Sequence, residues 1–333
     1  MRGPVDWLFI LFTIATLSFA FFNGLNNSGA IIAGPVASRA VEPRLAFVLA
    51  VIAEFCGPFL FGTAVASTLG QGLIQRSAIT ITVLLAGILS AMTWNLVTWI
   101  FGLPSSSSNA LIGGLIGSAF AANGLEALLP EGLIKVFGSL LISPAVGLVG
   151  GFVFMKFVWF LVQGATPSIS RWFNQLQILT TITLAMSHGT NDGQKSMGLI
   201  TIGMVVLGLQ KDFDVPLWVT FACALALAIG TSAGGYRVVR TVGGKIYRMR
   251  SIHGFASQFT ATAVVLGAAL IGGPVSTMQV VGTSVMGVGA AERAHNVRWG
   301  VASQLVIAWL VTIPVVGSLS GLFYLLLRGL IGP

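Results

Sequence analysis

Two sequence units recur half a chain apart in a protein almost free of charge. NGLNNSG (Asn23 to Gly29) is echoed by HGTNDGQ (His188 to Gln194), and PSSSSNALIGGLIG (Pro104 to Gly117) by PVSTMQVVGTSVMG (Pro274 to Gly287). The offsets are 165 and 170 positions, so order and spacing are both kept. A fold duplicated within one chain, with its polar site where the two copies meet, is the arrangement this pattern predicts.

Of 333 residues, 55% are hydrophobic and 8% charged, too few ionic side chains to clothe a water-soluble surface. Apolar runs at 6–22, 45–70, 77–103, 133–161, 215–233, 254–272 and 298–327 approach or exceed the roughly 20 residues a helix needs to cross hydrocarbon. The expected fold is an all-α polytopic membrane protein of two inverted-topology repeats with broken or re-entrant helices, in about 10–12 membrane segments. A β-barrel would show shorter alternating strands, and none are evident. The apolar stretch after Met1 and Arg2 reads as a retained helix, since no small-residue cleavage site precedes the Asn23 motif. Cys56 and Cys223 lie in apolar segments without CxxC or His spacing and read as inert packing residues.

The net charge of +8 is dispersed over short connections, which speaks for membrane orientation and against nucleic acid. In inverted repeats, a basic loop in one half should face a poor or acidic loop in the other. Arg39 and Arg44 correspond to the connection of Lys211, Asp212 and Asp214. Arg76 stands opposite Arg237, Arg240, Lys245, Arg248 and Arg250, and Glu126 and Glu131 stand opposite Arg293, His295 and Arg298. With each basic member in the cytoplasm, both chain ends fall outside. The connection from Gln163 to Arg171, with Pro167, then divides a first repeat, 1–165, from a second, 166–333.

The stretches 6–38 and 175–210 are too long for one simple helix, and Gly and Asn at their motifs predict a break in each. Pro104 and Pro274, each followed by hydroxyl residues, mark the start of a half-helix or re-entrant segment. The glycines, as in the Gly113 to Gly117 spacing, read chiefly as close helix packing. A helix starting at membrane depth presents unpaired N–H groups and the positive end of its dipole to an anion. Ser106, Ser107, Ser108, Ser276 and Thr277 add hydroxyl donors suited to a tetrahedral oxyanion. Oxygens of Asn26, Asn27, Asn191 and Asp192, with carbonyls released by helix breaks, are candidate ligands for a hard monovalent cation, Asn27 and Asp192 foremost. Asp192 and Glu54 are the acidic residues within the membrane core and are functional candidates for that reason. Lys195, three residues on, is the expected partner of Asp192. His188 reads equally as a proton relay or a satisfied core imidazole.

At these motifs the chain resembles the inorganic phosphate transporter family, whose halves each carry a GxND-type and later a PVSTTH-type motif. The residues carrying the resemblance are HGTNDGQKSMG (His188 to Gly198), GGYRVVRTVG (Gly234 to Gly243), PVST (Pro274 to Thr277) and MGVGAAERAHNVRWGVA (Met286 to Ala302). It implies a symporter that carries phosphate with sodium or protons, with no cofactor. Cation ligands would be Asn26, Asn27, Asn191 and Asp192, and phosphate contacts Ser106, Ser107, Ser276 and Thr277. The chain departs from the pattern at Asn27, where Asp is usual, at Asn109 and Gln279, which replace the motif histidines, and at Met278. Gln258 stands where Glu is frequent, and Glu54 where Asn or Glu occurs. These positions join the candidate set, Asn109 and Gln279 toward substrate, Glu54 and Gln258 toward the cation, with Gln194 and Lys195 supporting. The halves thus pair Asn27 with Asp192 and Glu54 with Gln258.

Retained carboxylates favour monohydrogen phosphate, which has a proton to donate, over sulfate, which has none; sulfate is the alternative substrate. No GxxxxGK[ST] loop is present for nucleotide-driven transport. A passive anion channel and an intramembrane hydrolase using His188, Asp192 and a serine are the competing classes. The partners expected are phosphate, a coupling cation and the bilayer, with a homo-oligomer left open.

Overall fold

The computed structural model describes residues 4–332 apart from 104, 167, 235–248, 294 and 296. Pro104, Pro167, Arg237, Arg240, Lys245 and Arg248 therefore lie outside the described residues. Among those described there are eleven α-helices and no strand, only a single bridge between Ile74 and Leu128. The helices are α1 (Pro4–Ala37), α2 (Pro43–Cys56), α3 (Ala64–Gln71), α4 (Ile81–Phe101), α5 (Ser107–Asn123), α6 (Pro130–Leu161), α7 (Ile169–Val206), α8 (Leu217–Ala233), α9 (Ser251–Leu270), α10 (Thr277–Glu292) and α11 (Trp299–Ile331).

Local signals account for several helix ends. Pro43 and Pro130 sit at first helical positions, where a missing N–H costs nothing. Thr80 caps α4 by accepting from Val83 N at 3.2 Å, and Gly102, at φ 65°, closes the same helix in the left-handed conformation. Among the described residues six helices are long and apolar enough to span a membrane, or seven when α2 and α3, bent by 69°, count as one span. The longest, α7, is not among the six because its middle is polar.

The outer surface is largely apolar, and a set of polar and ionisable side chains is buried within the bundle. Ile134, Phe160, Leu217 and Leu330 are exposed, whereas Asn27, Glu54, His188, Asp192 and Lys195 are buried. That is the distribution a bilayer demands, since ionisable groups there must face the bundle interior. Cys223 is buried as expected, but Cys56 is exposed at the end of α2, so only one of the two is a packing residue.

The helices through Asn26 and Asn191 are continuous, which overturns the expected breaks at both Asn motifs. With 34 and 38 residues, α1 and α7 extend about 50 Å or more, beyond the roughly 30 Å of hydrocarbon. Their glycines serve close approach instead of breaking the helix. A Cβ on Gly24 would strike the carbonyl of Leu227, and one on Gly189 the carbonyl of Glu54.

The same crossings recur in both halves. Gly57 abuts Met186 O as Gly230 abuts Phe21 O, and Gly117 abuts Gly317 O as Gly287 abuts Leu148 O. Accordingly α1 packs on α8 and α2 on α7, α4 on α1 and α9 on α7, α5 on α11 and α10 on α6. These correspondences correct one pairing: Leu227 is the counterpart of Glu54, because Gln258 lies on α9, which takes the place of α4.

Candidate functional site

Two helix starts lie side by side in the interior. Ser106, at φ −100° and ψ 109°, caps α5 by accepting from Asn109 N at 3.1 Å. Ser276, at φ −98° and ψ 108°, caps α10 by accepting from Gln279 N at 3.4 Å. Ser108 Oγ donates to Val275 O at 2.9 Å and so joins the two starts. The next hydroxyls in each first turn, Ser107 and Thr277, are buried and have no partner among the described residues. Leaving a buried hydroxyl unpaired costs about 1–3 kcal/mol, so two at equivalent positions point to a ligand that satisfies them. Asn109 Nδ2 donates to Trp309 O at 3.1 Å, which leaves its Oδ1 as a buried acceptor without a donor among the described residues. Gln279, which follows the second start, is buried at 3% exposure.

The middle of α7 supplies the charged residues. Asn191 grips the segment leading into α10, donating to Gly273 O at 3.2 Å and accepting from Val275 N at 3.3 Å. Asp192 Oδ1 pairs with the Lys195 ammonium, and Oδ2 accepts from Asn27 Nδ2 at 3.2 Å. His188 Nε2 lies 2.6 Å from the same Oδ2, off hydrogen-bond direction, while Nδ1 meets Glu54 Oε1. Both ring nitrogens thus face carboxylates, and both are donors only in the imidazolium form. Lys195 Nζ also donates to Ser108 Oγ and, at 2.8 Å, to Val275 O. Gln194 works at the periphery: its Oε1 accepts from Val65 N at 2.8 Å at the start of α3, and its Nε2 donates to Gly62 O at 2.7 Å.

Asn27 Nδ2 also donates to Asn23 Oδ1 at 2.7 Å. Asn23 with Asn27 is therefore the neutral copy of His188 with Asp192, one helical turn apart in each half. Asn27 and Asp192, 165 residues apart and equivalent in the two motifs, touch each other. Residues related by the repeat meet where the halves face.

Glu54, Asn27, Asn191 and Asp192 of the expected cation set fall in one network; Asn26 and Gln258 do not. Asn26 Nδ2 donates to Asn95 O at 3.3 Å, and Gln258 bridges Ile31 O at 3.0 Å and the Thr180 hydroxyl at 2.8 Å. Because α1 and α7 are unbroken, no released carbonyl joins the set at either Asn motif. Among the described residues no group of three or more His, Cys, Asp or Glu is arranged to hold a metal ion. Sequence reasoning overlooked Asn23, whose signal was its alignment with His188. It also overlooked Asn95, a buried residue of α4 whose side-chain oxygen and nitrogen both lack partners among the described residues, for which the motifs carried no signal.

The sequence matches the phosphate transporter family over residues 23–320. It is 39% identical over 325 residues to the probable low-affinity inorganic phosphate transporter of Bacillus subtilis strain 168, covering 96% of this chain and 97% of that one. It is 38% identical over 310 residues to the protein of the same description in Rhizobium meliloti strain 1021, covering 92% of this chain and 93% of that one. Among solved structures, the sodium-dependent phosphate transporter shares the fold with a TM-score of 0.90 at 24% identity, over 97% of this chain and all of that one.

Proposed function

The chain belongs to the phosphate transporter family, whose members are membrane transporters and not enzymes, and from that premise we propose that it imports inorganic phosphate by symport with a cation. Access alternates around a site between two inverted repeats, 1–165 and 166–333, with the basic connections in the cytoplasm and both ends of the chain outside. The observation that carries this reading is the pair of helix starts with unpartnered Ser107 and Thr277 hydroxyls beside a buried ammonium.

A tetrahedral dianion placed there gains N–H and O–H donors from both halves at once. Asn109 Oδ1 supplies what sulfate has no use for, an acceptor for the proton of monohydrogen phosphate. The relatives are named for phosphate, so sulfate is not favoured. Each net positive charge moved down a 100 mV potential supplies about 2.3 kcal/mol, enough to drive accumulation.

Phosphate uptake into vesicles of purified protein tests the proposal. Saturable uptake that follows an imposed cation gradient, competed by arsenate and weakly by sulfate, is expected. Gradient-independent or non-saturable flux would refute symport in favour of a channel.

A further inference from the structure

Lys195 is one of the largest side chains buried completely, and its three acceptors are of three kinds: the Asp192 carboxylate, the Val275 carbonyl and the Ser108 hydroxyl. Oxygens of these kinds are the ligands by which proteins hold hard metal cations. Here a primary ammonium takes all three and uses up its three N–H donors. The second Asp192 oxygen is held by Asn27 and faces His188, so the carboxylate offers no open side. The first half carries Ala30 at the position equivalent to Lys195, so the ammonium belongs to one half alone.

We propose that Lys195 is a tethered cation standing where a coupling sodium ion would bind, and that it makes the Asp192 pocket closed to sodium. This rests on the transport reading above and determines which ion that transport accepts. The residues present do not fit sodium at Asp192, although the solved structure of the same fold is of a sodium-dependent protein. A covalently held ammonium supplies positive charge beside the α5 and α10 starts without an ion to bind or release. It also ties both starts to α7, since Ser108 lies in the first turn of α5 and Val275 leads into α10.

The test compares phosphate–phosphate exchange in vesicles bathed in sodium chloride or choline chloride at equal ionic strength. Wild-type exchange is expected to agree within about twofold in the two salts, and Lys195→Ala to gain at least about fivefold from sodium, the lower end of ordinary coupling between two sites. Lys195→Met, which fills the same space without charge, is expected to show no sodium response. Thermal unfolding in detergent gives a readout independent of transport. Sodium chloride over choline chloride should leave the wild-type Tm in place and raise that of Lys195→Ala, as binding to the folded state requires. Saturable sodium stimulation of the wild type, or a Lys195→Ala protein indifferent to sodium in both measurements, overturns the inference. Absence of wild-type exchange in both salts would overturn the phosphate reading instead, and the Tm comparison then still decides whether Lys195 excludes sodium.

Discussion

Asp192 holds an ammonium and an amide and faces an imidazole, so removing its charge while keeping its shape isolates what the charge does. Asp192→Asn leaves the Lys195 ammonium buried without a counter-charge, a loss of about 3–5 kcal/mol for a broken buried pair. Coupled uptake should vanish and Tm should fall; adding Lys195→Met should restore Tm and not uptake. Uptake unchanged in Asp192→Asn would remove that carboxylate from the mechanism. The hydroxyls make a second prediction at this scale. Ser107→Ala and Thr277→Val remove groups with no partner among the described residues, so each should raise KM for phosphate roughly tenfold, about 1.4 kcal/mol, with little change in Tm. Ser106→Ala removes a helix cap and should cost about 1 kcal/mol of stability. An unaltered KM in both hydroxyl variants would sink the phosphate cradle.

Between helices, glycine decides how near one backbone comes to another. At Gly189 the neighbour is the main chain of Glu54, which has no rotamer with which to yield. Gly189→Ala should therefore destabilise by about 1–3 kcal/mol through overpacking. Gly267→Ala, on α9 with nothing within 4 Å of the added methyl, should be neutral or stabilise by up to about 1 kcal/mol from helix propensity. Equal Tm losses in the two variants would show that the crossing is not the cause. The capped starts after each proline-serine run were legible because hydroxyl residues at a helix beginning have a local mechanism. The continuity of α1 and α7 was not. Gly and Asn in sequence read as helix breakers, yet a broken backbone in lipid must find new partners, and here the side chains of Asn27 and Asn191 find theirs with the helix intact.

Across the whole molecule, the recurrence of the same crossings in both halves makes orientation a testable property. If the repeats are inverted, the connection between them lies in the cytoplasm and the connection between α7 and α8 outside. Thr166→Cys and Asp212→Cys, both exposed, introduced into a protein carrying Cys56→Ala and Cys223→Ala, should then react with a membrane-impermeant thiol reagent from opposite sides. Labelling of both from one side would contradict the inverted arrangement.

By itself the chain's sequence determined its solvent and its duplication: scarce charge leaves lipid as the surrounding medium, and motifs repeated in the same order at nearly equal offsets imply two copies of one fold. It also marked the helix starts and the pairing of Asp192 with Lys195, because capping and one-turn spacing are local rules. Only the tertiary structure brought Glu54 to His188 and Asn27 to Asp192, and left Gln258 and Asn26 apart from them. Those contacts depend on which helix faces cross, and crossings are decided by backbone approach at glycines more than a hundred residues distant from their partners, a relation no local pattern encodes.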